Sequence, residues 1–181
     1  SGTGAWKSEI GEDFHAFTGE LGGLCRDIGR PPQQLVGVGF IAEGGGTSYY
    51  RILPEARQGR AAFILAGVTD EVIGDFGIYG GAAGLEIDQS NPAYGTPIHS
   101  GVLARSENHS EDMIYVMEEM NGVSPLPSLY HEQAYAEVVF FETPKGGAVF
   151  SVGSMNWCGS LRHHAYRNSV STMTRNALTR F

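Results

Sequence analysis

The sequence predicts one domain of mixed α/β class, and three observations carry that prediction. Short apolar runs are bounded by Gly and Pro as strands are, and the C-terminal residues repeat their apolar positions at helical spacing. The composition is that of a globular domain, with 41% hydrophobic and 18% charged residues in a chain of 181. A chain of this length buries about two-thirds of its unfolded surface, so a core forms without disulfides or a structural metal. No internal repeat, low-complexity tract or linker divides it.

Taken in order, residues 1–13, opening Ser1-Gly2-Thr3-Gly4, read as a flexible lead or an expression-vector scar, and the domain occupies 14–181. Phe14, Phe17, Leu21, Leu24 and Ile28 recur at steps of three and four, which predicts a helix stopped by Gly29 and Pro31-Pro32. Leu35 to Phe40 is a continuous apolar run and predicts a buried strand, with Gly44-Gly45-Gly46 opening a loop at its end. Ala61 to Leu65 predicts a second strand of the same kind, and such runs imply a sheet covered on both faces. From Asp70 to Pro97 glycines break every period, which predicts a structured loop beside a site. Val102–Arg105 and Met113–Met117 follow as strands, separated by the polar turn from Ser106 to Glu111. Ala134–Glu142 and Ala148–Val152 form a hairpin through Thr143-Pro144-Lys145-Gly146-Gly147. Val170, Met173, Ala177 and Phe181 then mark a terminal helix capped by Asn168 or Ser169. The low helix count and the missing initiator Met lead us to expect further elements upstream.

Charge narrows the partners. Twenty acidic and twelve basic residues give a net charge of −8, and no Lys/Arg cluster occurs, which excludes nucleic acid and anionic membrane as main partners. No apolar stretch reaches the roughly 18 residues of a membrane span, and no secretory leader is visible, so a cytoplasmic location is expected. Cys25 and Cys158 show no Cys-x-x-Cys spacing and read as reduced, buried thiols.

No GxSxG elbow, P-loop, HExxH or zinc-type cysteine pair is present, and the Gly37-Val38-Gly39 and Gly44-Gly45-Gly46 stretches read as sharp turns rather than a nucleotide loop. Glu86 and Asp88 stand at an i, i+2 spacing, which in an extended segment puts both on one face. Glycine and apolar neighbours would desolvate Glu86 and suit it to proton transfer; the bland reading is a pair of solvated loop acids. His99 and His109 could supply proton or metal chemistry only if folding joins them, and a polar surface turn explains His109 better. His163 and His164 are adjacent and point apart, which disfavours a shared metal. Asn156 follows a strand end and could hydrogen-bond an amide substrate. Cys158 as a nucleophile needs a partnered His, which no spacing supplies.

Several longer segments occur together. They are Arg30-Pro31-Pro32-Gln33-Gln34-Leu35-Val36-Gly37-Val38-Gly39-Phe40, Gly74-Asp75-Phe76-Gly77, Gly80-Gly81-Ala82-Ala83-Gly84-Leu85-Glu86-Ile87-Asp88, Phe141-Glu142-Thr143-Pro144, Gly146 to Ser154 and Trp157-Cys158-Gly159-Ser160-Leu161. This set resembles the C-terminal region of the N,N-dimethylformamidase large-subunit family, from about Phe14 to Phe181. The resemblance implies the C-terminal portion of a larger catalytic core, an α/β sandwich similar to class I glutamine amidotransferases. It implies hydrolysis of a formamide C–N bond by a mononuclear iron enzyme whose tyrosine and glutamate ligands lie before Ser1. No metal ligand and no iron is then expected in this chain alone, which should be inactive by itself. Glu86 carries over as catalytic residue; Asp88, His99 and Asn156 are its expected substrate-binding companions. The implied partners are the remainder of the large subunit, a small subunit and a small amide substrate, with a homo-oligomer left open. The segments Gly44-Gly45-Gly46 and Ser48-Tyr49-Tyr50 and the residue Asn156 depart from the family pattern, which leaves the substrate open. A noncatalytic binding or assembly domain of the same fold is the alternative, and an amidotransferase-like hydrolase using Cys158 ranks behind both.

Overall fold

The computed structural model describes residues 25, 29–117, 122–123 and 133–180. The helix expected over 14–30 lies almost wholly outside the described residues. Among the described residues, eight strands form the sheet, and their pairings are all antiparallel. The α/β class therefore holds in its coarse form: an antiparallel sheet accompanied by few helices.

The chain enters through a five-residue helix, α1 (Pro32–Val36), not the buried strand expected over 35–40. Pro32 presets the helical φ at the first position, and Gly37 closes the turn at φ +82°, with its N–H donated to the Gln33 carbonyl. Leu35 is consequently exposed, and the strand begins only at Gly39.

Strand β1 (Gly39–Ile52) is the spine of the sheet. From Gly39 to Ser48 it pairs β3 (Ala83–Gln89), with β5 (Ile114–Met117) on its other side at Ala42 and Glu43, and its last residues pair β2 (Val72–Ile73) and β4 (Gly101–Glu107). β6 (Gly122–Val123) adds to β5, and the hairpin of β7 (Glu137–Glu142) with β8 (Ala148–Ser151) extends the sheet from β4. The triple glycine does not open a loop. It is absorbed as a bulge, because the register moves from Glu43↔Glu86 to Thr47↔Gly84, four residues on β1 against two on β3. The 70–97 stretch likewise contains two strands, β2 and β3, where a loop was expected. The predicted 143–147 turn closes the β7–β8 hairpin with Thr143 and Gly147 bonded.

Ala62–Leu65 is a 3₁₀ turn, not the second strand. A run this short does not distinguish a strand from a buried helical turn. What decides is that the side-chain amide of Asn176 donates to the carbonyls of Ile64 and Ala66, at 3.0 and 2.8 Å. Continuous burial appears in β7, where Glu137 through Phe141 are all covered. The C-terminal side carries α2 (Trp157–Ser160) and α3 (Ser169–Arg180). Asn168 caps α3 by accepting the Ser171 N–H at 2.9 Å, while its amide donates to the Leu161 and His163 carbonyls.

The main core gathers Tyr50, Ile64, Ile73, Ile87, Leu103 and Met173, with Trp157 edge-on to Tyr50 at 5.5 Å. Trp157 keeps its indole N–H satisfied on Thr174, 2.9 Å away. Both cysteines are free and exposed, which corrects the buried-thiol expectation. Cys158 lies in the short helix α2, too brief to bury each of its faces.

Candidate functional site

The β3 strand sets the site. Its face alternates, so Ile87 is buried in the core while Glu86 is exposed and Asp88 half-buried. Glu43 on β1 stands directly across from Glu86. On the far edge of β3, the segment after β8 closes in: Asp88 N–H donates to the Gly153 carbonyl at 2.8 Å, and Ile87 bridges to Ser154. Gly153 is indispensable to this closure. It sits at φ +62°, and a Cβ there would lie 2.6 Å from the Glu137 carbonyl and 2.8 Å from that of Asp88.

Ser154 ties the two segments together. Its hydroxyl donates to the Gly84 carbonyl and accepts the Gly84 N–H, each at 3.0 Å, and it also accepts the Asn156 N–H at 3.3 Å. Tyr50, wholly buried behind it, donates its phenol to the Val152 carbonyl at 2.7 Å. Burial holds that phenol well above the ordinary tyrosine range; contact with Ser154 offsets this in part, and the nearby Asp88 charge reinforces it. Asp88 is itself raised, first by desolvation and then by the Glu86 charge. Asn156 is 2% exposed, and its side-chain Nδ2 has no hydrogen-bond partner among the described residues. A buried donor without a partner is uncommon, and it offers a hydrogen bond to an incoming oxygen.

Of the four expected residues, Glu86 and Asp88 share β3, and Asn156 follows Ser154, which bridges to that strand. The desolvated acid differs from expectation, because Glu86 faces solvent and Asp88 takes the sheltered position. His99 is not part of the group. It is exposed, bonded through Nε2 to the Glu142 carbonyl at 3.0 Å and edge-on to Phe141. Glu142 lies five residues along β7 from Glu137, which flanks Gly153, so about 16 Å separates them at ~3.3 Å per residue. His109, read as a surface turn residue, is half-buried, with its Nε2 2.6 Å from the Ser106 hydroxyl. Tyr50 and Ser154 did not stand out in the sequence. Their signal is faint: a strand tyrosine at a buried position of an alternating pattern, and a small hydroxyl directly after a strand-end glycine.

The family model described as N,N-dimethylformamidase beta subunit-like, C-terminal, matches residues 2–169. The chain belongs to this family. It is 37% identical over 186 residues to the N,N-dimethylformamidase beta subunit of Paracoccus aminophilus, and 35% identical over 186 residues to that of Alcaligenes sp.. Each comparison covers 99% of this chain and 24% of the relative, so the chain spans about a quarter of the length of these dimethylformamidase subunits. Among the described residues, no group of three or more His, Cys, Asp or Glu side chains is placed to hold a metal ion. Among the same residues, no helix is long and apolar enough to cross a membrane.

Proposed function

We propose that this chain is the C-terminal part of a dimethylformamidase-like amidohydrolase subunit that hydrolyses the C–N bond of a small formamide or related amide. Membership of the dimethylformamidase beta subunit-like family carries the reading. The placement of Glu86 and Asp88 on β3, with Asn156 beside the Ser154 that bridges to it, is consistent with it. The larger catalytic core is proposed to be the glutamine amidotransferase-like sandwich that the resemblance implies, with this sheet as its C-terminal portion. The iron is assigned to tyrosine and glutamate side chains outside this chain; among the described residues, no group of three or more His, Cys, Asp or Glu side chains is placed to hold it.

Hydrolysis adds water across the amide: the carbonyl carbon gains hydroxyl, the C–N bond breaks, and the amine leaves with a proton. Glu86, solvent-facing, takes the proton from the attacking water and returns it to the leaving nitrogen. Asp88, sheltered beside it on β3, accepts a hydrogen bond from the same water and orients it. The Asn156 Nδ2 donor answers the negative charge that grows on the carbonyl oxygen. His99 takes no part in this scheme. In the assembled enzyme, Glu86→Gln should lower kcat at least about 100-fold with folding unchanged. Unaltered turnover of N,N-dimethylformamide would remove Glu86 from the mechanism. The alternative, a noncatalytic assembly domain, is favoured by one observation, the open exposure of Glu86 in the chain by itself.

A further inference from the structure

We propose that the loop from Gly74 to Ala82, together with Met155 and Cys158 of the adjoining α2 segment, is the face on which this chain docks to the upstream region of a dimethylformamidase-type beta subunit. The inference rests on the functional reading above and names where the two parts meet.

The loop is pinned throughout. Ser160 donates its hydroxyl to the Phe76 carbonyl at 2.6 Å, Ile78 N–H donates to the Gly159 carbonyl at 3.2 Å, and Thr47 donates its hydroxyl to the Tyr79 carbonyl at 2.8 Å. Ala82 N–H closes the loop onto the Gly74 carbonyl at 2.8 Å, and the Phe76 ring stacks on His163 at 4.2 Å. Yet the two side chains at its tip, Ile78 and Tyr79, are 76% and 61% exposed. They abut α2, since a Cβ at Gly159 would lie 3.8 Å from that of Ile78 and 3.9 Å from the Tyr79 ring. Met155 and Cys158 on that side are exposed as well.

Isolated exposed apolar residues are ordinary, but a rigid backbone holding adjacent large apolar side chains in water is the form of an interface anchor. Pre-organisation of this kind lowers the ordering cost of association. Two observations choose the occupant. The relatives have about three-quarters of their length outside the matched region, and the loop runs straight into β3, so docking here seats Glu86 at the seam. A second copy is the poorer occupant, because each chain brings a net charge of −8 to the contact.

The test mixes the full chain with the Paracoccus aminophilus beta subunit lacking its matched region, and follows N-ethylmaleimide alkylation of Cys158 by mass spectrometry, with exposed Cys25 as internal reference. The expected result is a one-to-one complex in which Cys158 reacts at least tenfold more slowly relative to Cys25. Ile78→Ser with Tyr79→Ser should weaken the complex at least tenfold while leaving thermal melting unchanged. A complex with Cys158 still fully reactive, a double variant that binds as the parent chain does, or self-protection that grows with concentration overturns the proposal. Where the shortened subunit does not rejoin even its own excised region, the same alkylation is read in a fusion carrying residues 1–181 in that place. Amide turnover is measured separately: docking without turnover keeps the surface and removes the hydrolase reading, whereas turnover with Cys158 unprotected does the reverse.

Discussion

His109 shows how one side chain sets a pH dependence. The Ser106 hydroxyl accepts the Ala136 N–H at 2.6 Å and bonds His109 Nε2, while the ring's Nδ1 is buried with no partner among the described residues. Burial pushes the imidazole down to about 4, against 6.5 in an unfolded chain. The unfolded state therefore binds the proton first, and stability present in full above pH 6.5 is lost as pH falls toward 4. Between pH 7 and pH 5 the loss should be about 2 kcal/mol, measurable by denaturant titration, and His109→Gln should flatten it. Asp88 has the opposite sign, since its raised carboxyl favours the folded state at low pH. Backbone strain is concentrated elsewhere. His164, Ala165 and Tyr166 take φ values of 49°, 53° and 65° in succession, the left-handed region where a Cβ meets the following carbonyl. Ala165→Gly should accordingly raise stability by about 0.5–1 kcal/mol, read as a higher Tm. Glu137, 1% exposed, is held by Arg105 at 2.8 Å and by the backbone N–H and hydroxyl of Ser90 at 2.9 and 2.5 Å. Its carboxylate is fully engaged in structure, which separates it from the site carboxylates nearby.

Among the elements, α3 and β1 make contrasting predictions. The Asn168 side chain does two tasks at the start of α3, capping with its oxygen and tying the preceding turn with its amide. Asn168→Ala should cost about 1–2 kcal/mol, and Asn168→Asp, which keeps the capping oxygen alone, about half of that in a thermal melt. In the β1 bulge, a Cβ at Gly44 would collide with the Asp112 carbonyl, whereas one at Gly45 meets nothing within 4 Å. Gly44→Ala should therefore destabilise by about 1–3 kcal/mol and Gly45→Ala by less than about 1 kcal/mol, although the sequence presents the two glycines identically. The bulge is what allows β1 to bring Glu43 level with Glu86 at one end and Thr47 level with Gly84 at the other.

For the whole molecule, the proposed site lies on β3, which pairs with β1 off the main strand order of the sheet. Glu86 faces solvent on β3, which continues from the pinned 74–82 loop, and the proposed catalysis draws on the upstream region to complete the site. On this reading the chain alone should release no dimethylamine from N,N-dimethylformamide, and turnover should appear only once the upstream region is joined. Dimethylamine release by the isolated chain would instead locate a complete site within these residues.

The sequence by itself determined the α/β class, the β4, β7 and β8 strands, the Pro/Gly turn between the last two, and α3 with its Asn168 cap, because these rest on local periodicity and on side chains that satisfy nearby backbone groups. Long motifs likewise sufficed for the family. Only the tertiary structure decided that Leu35 and Ala62–Leu65 belong to helical turns, since short apolar runs take their form from whichever partner claims their carbonyls. It also decided that Asp88 rather than Glu86 is the sheltered acid and that His99 stands apart. Desolvation and proximity are set by the Gly153–Ser154 segment, which crosses to β3 from more than sixty residues away, and no local pattern encodes so distant a contact.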